Sequence, residues 1–332
     1  MQPAVSVIMP YYNAAESLKA SIGSILNQDY DDYELILVDN NSDDESYDIA
    51  SQYSKSSKKI RLIKELKKGM VFALNAGIEN SAGKYIAFSD INTISDVSRL
   101  GLQYEFLERN PDVDLNSCCV KFDGNELNEP QLFEYIQWNN RLISHDDIFL
   151  NQFIEPPVIH SSLMLKRKLI DKYGKYRIGC FQHEYELILR FLNNSVKMYK
   201  LTNSLVELND SINKLSEISN NYSEHAFYEI KSYYLYKWLK RNNRFFPKIV
   251  VWGAGRDSRQ RFSFLQDLGI SPKFFIDQWA NPPRNVIEYK QLSTAGKNFI
   301  VSYVKNREAR GTIREFLVNL RYTEGKDFIC VT

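Results

Sequence analysis

The sequence predicts an α/β fold, with a mostly parallel sheet flanked by helices, followed by a second, smaller α/β unit. Three observations carry this reading. Short runs rich in branched apolar residues alternate with stretches whose apolar positions recur at helical spacing. The strand-like runs end in polar turns, and strands separated by helices in this way form βαβ units with parallel pairing. The alternation restarts after Pro247, beyond a polar tract. A chain of 332 residues is also long for one core and suits about two domains.

Taken in order, Val5-Ser6-Val7-Ile8-Met9, ended by Pro10, reads as a buried strand. Residues 14–28 read as a helix through Leu18, Ile22, Ile25 and Leu26. Glu34–Val38 is a second buried strand that runs into the polar turn Asp39–Asp44, and a helix over 45–56 follows. A strand at Ile60–Lys64, a helix at 70–80 and a strand at Tyr85–Phe88 continue the alternation. Residues 97–110 and 129–145 read as helices, 163–176 as a strand and a helix, and Glu184–Leu192 as a helix. The Asn- and Ser-rich stretch 209–222 has the composition of a loop, and a helix over 224–241 follows it. The second unit reads as strand 248–252, helix 258–268, strand 274–276, strand 299–301, helix 306–320 and strand 328–331. In parallel sheets ligands sit at the carboxyl ends of the strands. That places a site at the turns after Val38 and Phe88.

Composition narrows the class. Lys+Arg 42 against Asp+Glu 41 gives a formal charge of +1, so no basic field marks a nucleic-acid binder. No apolar run approaches the ~20 residues that span a bilayer, and the N-terminal stretch lacks a signal-peptide pattern. Cys118, Cys119, Cys180 and Cys330 form no CxxC pair, so neither a disulfide framework nor a zinc site is expected. The chain reads as cytoplasmic.

Five motifs then occur in order: Val5–Asn13; Glu34–Asp44; Gly69 through Asn75-Ala76-Gly77 with Gly83-Lys84-Tyr85-Ile86-Ala87-Phe88-Ser89-Asp90; His160–Met164; and His183–Arg190. Together they closely resemble family 2 glycosyltransferases with the GT-A fold, over about the first 210 residues. The resemblance implies a nucleotide-sugar donor, and Pro10, Tyr12, Asp39, Asn75 and Asp90 as its nucleotide contacts. Tyr12 matches the ring that lies against the base, and Asp39 the carboxylate that accepts from uracil, which implies UDP. Asp90 falls at the family's Asp-x-Asp, which binds Mn²⁺ or Mg²⁺ at the diphosphate. Here it reads Asp90-Ile91-Asn92, so the second ligand position carries an amide. Hard divalent cations prefer carboxylate oxygens, and an Asn carbonyl offers oxygen without charge.

Glu184 matches the family's catalytic base, usually the Asp of a Glu-Asp pair. It implies attack by an acceptor hydroxyl with inversion. Two further positions depart from the family: Leu74 where relatives often carry Arg, and Asn209 near an expected metal-binding histidine. His160 reads as a structural residue beside the acceptor cleft.

The C-terminal part resembles the small Rossmann-like appendage of some bacterial sugar transferases. Gly253-Ala254-Gly255 after a strand, with Asp277 at the next strand end, is an incomplete dinucleotide fingerprint, because Ser258 takes the third glycine's place. The expected division is a GT-A domain over 1–210, a linker and interdomain helix over 211–246, and a Rossmann-like domain over 247–332. The Tyr-, Trp- and Lys-rich helix within 224–246 is a candidate for peripheral contact with the inner face of the membrane; the competing reading packs its aromatic residues inside the protein. The expected activity is a metal-dependent, inverting hexosyltransferase that acts on a saccharide or lipid-linked saccharide acceptor in cell-surface polysaccharide biosynthesis. Two other readings stand beside it. One is a non-catalytic binding subunit of an assembly complex, suggested by Leu74, Asn92 and Asn209. The other is a nucleotide-cofactor enzyme centred on Gly253 and Gly255.

Overall fold

The computed structural model describes residues 2–209, 223–278, 285–293 and 298–332. The polar tract expected as a loop over 209–222 therefore lies outside the described residues, except Asn209, which ends a strand. The chain divides into two compact units: Met1–Ile148 with Val158–Asn221, and Phe149–Pro157 with Tyr222–Thr332. Phe149–Pro157, expected within the first domain, and the helix expected as a linker both count with the second unit.

The first unit holds an eight-stranded sheet in the order β3-β2-β1-β4-β7-β6-β8-β5. Its strands are β1 (Val5–Tyr11), β2 (Tyr33–Asp39), β3 (Ile60–Lys64), β4 (Tyr85–Phe88), β5 (Thr93–Ser95), β6 (Leu115–Asp123), β7 (Met164–Lys166) and β8 (Met198–Asn209). β1, β2, β3 and β4 are mutually parallel, and β7 and β5 run antiparallel to their neighbours. Strand alternation sends Val5, Val7, Met9, Tyr11, Leu35 and Leu37 to one face. There they pack on Leu18, Ile22 and Ile25 of α1 (Leu18–Leu26), Ile49 and Ala50 of α2 (Ser46–Ser56) and Leu100 and Leu107 of α4 (Arg99–Arg109). The other face meets α3 (Met70–Glu79) closely, since a Cβ on Gly77 would lie 2.4 Å from Ile8 Cγ2.

Pro10 does not end β1, which continues to Tyr11. Ile8 accepts from Ser89 N on the β4 side, so Pro10, two residues on, faces the same side beyond the last residue of β4. Its missing N–H forfeits no ladder bond there. The single helix expected over 129–145 is two, α5 (Pro130–Asn140) and α6 (His145–Asn151). Ser144 breaks the run by capping: its Oγ accepts from Asp147 N at 3.2 Å while its own N–H donates to Asp147 Oδ2 at 2.9 Å. The first unit also holds a 3-10 turn at His160–Ser162 and two further helices, α7 (Lys168–Tyr173) and α8 (His183–Asn193).

The second unit has a five-stranded, fully parallel sheet in the order β11-β10-β9-β12-β13. Its strands are β9 (Ile249–Trp252), β10 (Pro272–Asp277), β11 (Val286–Glu288), β12 (Ile300–Ser302) and β13 (Phe328–Cys330). Helices α9 (Glu224–Asn242), α10 (Arg256–Asp267) and α11 (Arg307–Asn319) accompany them. Tyr228, Tyr234 and Trp238 of α9 are buried, and Trp238 packs on Phe299. Most of the aromatic surface proposed for a membrane is thus used inside the protein, with Tyr233 left exposed. Among the described residues no helix is long and apolar enough to cross a membrane.

Candidate active site

Parallel pairing brings the carboxyl ends of β1, β2 and β4 to one edge. Tyr11 lies opposite Asp39 in register, and Ile8 opposite Phe88. The turns beyond β1 and β2 brace each other. Asn13, at φ 47°, donates from Nδ2 to Asp43 Oδ1 at 2.6 Å and accepts from Asp43 N at 3.0 Å. Ala14 N donates to Ser46 Oγ, and Ala15 N to Asp44 Oδ2. Burial opposes charge on Asp44, but hydrogen bonds from Ser46 and Ala15 outweigh it and hold its carboxyl below the usual value. Asn41 at φ 62° shows why Asn suits this turn, because its short side chain tolerates the left-handed region.

Asp39 is fully buried at the end of β2, both carboxylate oxygens 3.4 Å from Ser42 N. Beside it Tyr11 is buried, its hydroxyl without a hydrogen-bond partner among the described residues. Burial first, and then the charge of Asp39, push the Tyr11 phenol far up. A nucleobase reaching Asp39 must therefore compete with the Ser42 N–H. Tyr12 is half-buried, with the Lys68 ammonium 5.1 Å from its ring centroid. Asn40, the next residue after Asp39, holds the Lys68 loop in place. Its Nδ2 donates to Lys67 O at 2.8 Å and its Oδ1 accepts from Gly69 N at 2.7 Å. Neither Asn40 nor Lys68 stands out in sequence, since a polar turn and a lysine pair fit any surface loop.

Asp90 follows β4 and is braced by Thr93, whose Oγ1 donates to Asp90 O at 2.8 Å. His160 Nδ1 lies 3.7 Å from Asp90 Oδ1, and His160 Nε2 lies 2.7 Å from the Tyr176 hydroxyl. Burial disfavours charge on the His160 ring, but the Asp90 and Glu184 carboxylates outweigh it and raise its pKa above the ordinary value. Tyr176 is pushed well up by burial, then by Glu184 and Asp90. Two carboxylates from distant parts of the sequence therefore act on one His–Tyr pair, of which Tyr176 is buried and His160 partly so.

Asn75 accepts from Tyr176 N at 3.0 Å and donates to Tyr176 O at 2.9 Å. It clamps the Tyr176 backbone. Glu186, fully buried, pairs with Arg190 at 3.1 Å and Arg177 at 3.3 Å. Arg190 also donates to Tyr173 O and Lys175 O, tying α8 to the segment that carries Tyr176. Glu184, the second residue of α8, is half-buried and makes no hydrogen bond or ion pair among the described residues.

Arg99 escaped the sequence reading. It is fully buried and donates to Phe88 O at 2.8 Å, Ser95 Oγ at 2.9 Å and Gln103 Oε1 at 3.0 Å. This fixes the end of β4 just before Asp90. Leu74 is fully buried in α3, so an apolar residue suits its position here.

The donors near Asp90 suit a divalent cation in one way only. Asp90 offers carboxylate oxygens and Asn92, buried two residues on, a neutral carbonyl. No group of three or more His, Cys, Asp or Glu able to hold a metal occurs among the described residues. Such a set fits an ion completed by substrate phosphates and water, the usual manner of Mg²⁺, rather than a cage made by protein alone.

In the second unit, Asp277 accepts from Ala254 N at 2.7 Å and Gln278 N at 2.8 Å. The glycine turn is closed by the carboxylate that the fingerprint would reserve for a ribose.

Comparison with known proteins follows the same lines. Glycosyl transferase family 2 matches residues 6–174. An uncharacterized glycosyltransferase of Methanocaldococcus jannaschii is 30% identical over 261 residues, 76% of this chain and 86% of that protein. The O-antigen biosynthesis glycosyltransferase WbnJ of Escherichia coli is 29% identical over 71% of this chain and 89% of its own. Among solved structures, S. aureus TarS 1-349 in complex with UDP-GlcNAc superposes with TM-score 0.57 at 15% identity, covering 80% of this chain and 71% of that chain. The mannosyltransferase PcManGT of Pyrobaculum calidifontis, in complex with GDP-Man and Mn²⁺, gives TM-score 0.51 at 20% identity, over 72% of this chain and 64% of that one. At such identities the structural likeness is one of fold.

Proposed function

The chain belongs to glycosyl transferase family 2, and on that premise we propose that it moves one sugar from a UDP-sugar to a saccharide or lipid-linked saccharide acceptor, with inversion, in cell-surface polysaccharide assembly. The O-antigen role named for WbnJ supports the biosynthetic setting. The observation that carries the reading is the convergence of Asp90 and Glu184 on His160 and Tyr176, with Glu184 free of any hydrogen bond or ion pair among the described residues. A carboxylate with no hydrogen bond or ion pair among the described residues, beside a donor-binding edge, can take a proton.

In this mechanism Tyr12 and Asp39 receive the nucleoside. Asp90, with the Asn92 carbonyl, would hold a divalent cation. At that place such an ion would supply charge neutralisation for the departing nucleoside diphosphate. Glu184 accepts the proton of the acceptor hydroxyl as its oxygen attacks the anomeric carbon opposite the leaving group. Clamped by Asn75, Tyr176 holds His160 against Asp90 and so limits where that carboxylate can sit. The Lys68 ammonium beside Tyr12 adds positive charge near the donor, at a site whose helix residue Leu74 supplies none. Glu184→Gln separates binding from chemistry. It is expected to keep nucleotide affinity within about twofold and to lower transfer about 100-fold or more. An unchanged transfer rate removes Glu184 as the base.

A further inference from the structure

The loop between β3 and α3 carries two successive lysines that are engaged in different ways. The Lys67 ammonium lies 4.0 Å from the centre of the Phe72 ring, on the helix that follows. Lys68 turns to Tyr12 instead. Its Nζ donates to the phenol oxygen at 3.3 Å and stands 5.1 Å from the ring centre. The ammonium is thus nearer the hydroxyl than the ring centre, at the rim of the ring. Lys68 makes no ion pair among the described residues, so no paired carboxylate cancels its charge.

One buried residue sets this arrangement. Asn40 N donates to the carbonyl of Tyr11, the chain neighbour of Tyr12, at 2.8 Å. Asn40 Nδ2 donates to Lys67 O at 2.8 Å and its Oδ1 accepts from Gly69 N at 2.7 Å, so both chain neighbours of Lys68 are held. Asp39 precedes Asn40 directly. A carboxamide supplies a donor and an acceptor together in that space, which neither a carboxylate nor an apolar side chain can do. Gly69, at φ 130°, takes a conformation that other residues rarely adopt, and so lets the chain turn from Lys68 into α3. Tyr12, Asp39 and Lys68 come from three parts of the sequence, yet each is joined to Asn40 directly or through one neighbour.

We propose that Lys68 reads the donor's base: with the base against Tyr12 and its ring N–H on Asp39, the Lys68 ammonium donates to the adjacent carbonyl oxygen, and Asn40 is the positioning residue for all three. The inference rests on the reading of Tyr12 and Asp39 as the nucleoside contacts. An ammonium has three donors, so the bond to the Tyr12 hydroxyl can persist beside the new one. The pair demands an edge with an N–H next to a C=O, which uracil presents at N3 and O4. Cytosine presents the reverse, a bare ring nitrogen to the carboxylate and an amino group to the ammonium. Acceptor then faces acceptor and donor faces donor, and both protein groups lose water without gaining a bond. Sites built on such bonds reject a mismatched ligand far more strongly than apolar pockets do.

Calorimetric titration of the full chain with UDP and CDP, both at one concentration of Mn²⁺, tests it. The two ligands share ribose and diphosphate, so effects on phosphate or metal cancel in the ratio of their affinities. The parent is expected to favour UDP about 100-fold. Lys68→Met is expected to weaken UDP about tenfold and to leave CDP within about twofold. Asn40→Ala is expected to lower the same ratio about tenfold, and Lys68→Met added to it to cost less than about threefold more, because both act through one ammonium. An unchanged UDP-to-CDP ratio in Lys68→Met overturns the inference, including the case in which both ligands weaken equally. Fully additive losses in the double variant remove Asn40 as the positioning residue. Should Asn40→Ala fail to fold, Lys68→Met decides alone, since Lys68 is exposed. A parent that binds no UDP removes the proposed function and this inference with it. A parent that prefers UDP, with the preference intact in Lys68→Met, removes the inference alone.

Discussion

Replacing Arg99 with Met tests how the end of β4 is held. The guanidinium is fully buried and donates to Phe88 O, Ser95 Oγ and Gln103 Oε1 at 2.8, 2.9 and 3.0 Å. Burial lowers its pKa, against which the nearby Cys118 and Asp90 groups act. Met keeps the aliphatic length and removes all three donors. A buried acceptor left unpaired costs about 1–3 kcal/mol. Phe88 O, fixed in the strand, bears that cost in full, whereas Ser95 and Gln103 can turn toward other groups. Removal of a buried charge returns part of the loss. The net expectation is about 2–4 kcal/mol from the stability of the first unit. Urea unfolding followed by circular dichroism reads it, in the transition assigned to that unit. Because Phe88 O lies two residues before Asp90, nucleotide affinity is expected to fall as well. A loss below about 0.5 kcal/mol with parental affinity would refute the argument, since changes of that size are ordinary for surface substitutions.

Four further outcomes are expected. Gly83→Ala places a Cβ 2.5 Å from Ser6 N and 2.8 Å from Val5 C, backbone atoms that cannot step aside; thermal unfolding should show a loss of about 1–3 kcal/mol. Asp90→Ala should abolish any gain in nucleotide affinity on adding Mn²⁺, and a gain that persists by calorimetry would move the ion elsewhere. The raised His160 pKa stabilises the fold fully below the unfolded value of about 6.5, and the contribution is lost as pH rises through the folded value. The stability gap between parent and His160→Gln should therefore narrow as pH rises, and a gap independent of pH contradicts this. Burial pushes Lys200 down to about 8, so above that pH the unfolded chain holds the extra proton and the Lys200 contribution rises toward pH 10.5. In Lys200→Met that rise should be missing from denaturation curves.

Elements with one clear period were legible in the sequence. β3 and β4 match their expected bounds, and α3 and α8 differ by a residue or two. Strands β6 and β8 were not legible, because polar residues interrupt their apolar pattern. Asn116 in β6 is buried and satisfied by Gln103, whose Nε2 donates to its Oδ1 at 3.0 Å. Lys200 in β8 is buried with its ammonium on the Asn139 side chain at 2.5 Å. Such pairings are tertiary, and no local window contains both partners. β5 and β11 are three residues each, too short to carry a period.

The site divides in the same way. The positions of Asp39 and Asp90 at the carboxyl ends of β2 and β4 were legible, because alternating strands and helices announce a parallel sheet. His160 lies directly beside Asp90, with Tyr176 and Asn75 around it, residues far apart in sequence that the fold joins. Arg99 looked like an ordinary residue at a helix start, and its burial follows from the packing of α4 against β6 and β8.

Calorimetric titration with UDP and GDP, each with and without Mn²⁺, tests the central claim most directly. Binding to the parent chain and to Asp39→Asn is compared. The account predicts UDP binding with one site per chain, strengthened by Mn²⁺ and weakened about tenfold or more in Asp39→Asn, a loss of about 1.4 kcal/mol. Absence of UDP binding, or binding of equal strength in the variant, would contradict the placement of a nucleotide-sugar at the carboxyl edge of β1, β2 and β4.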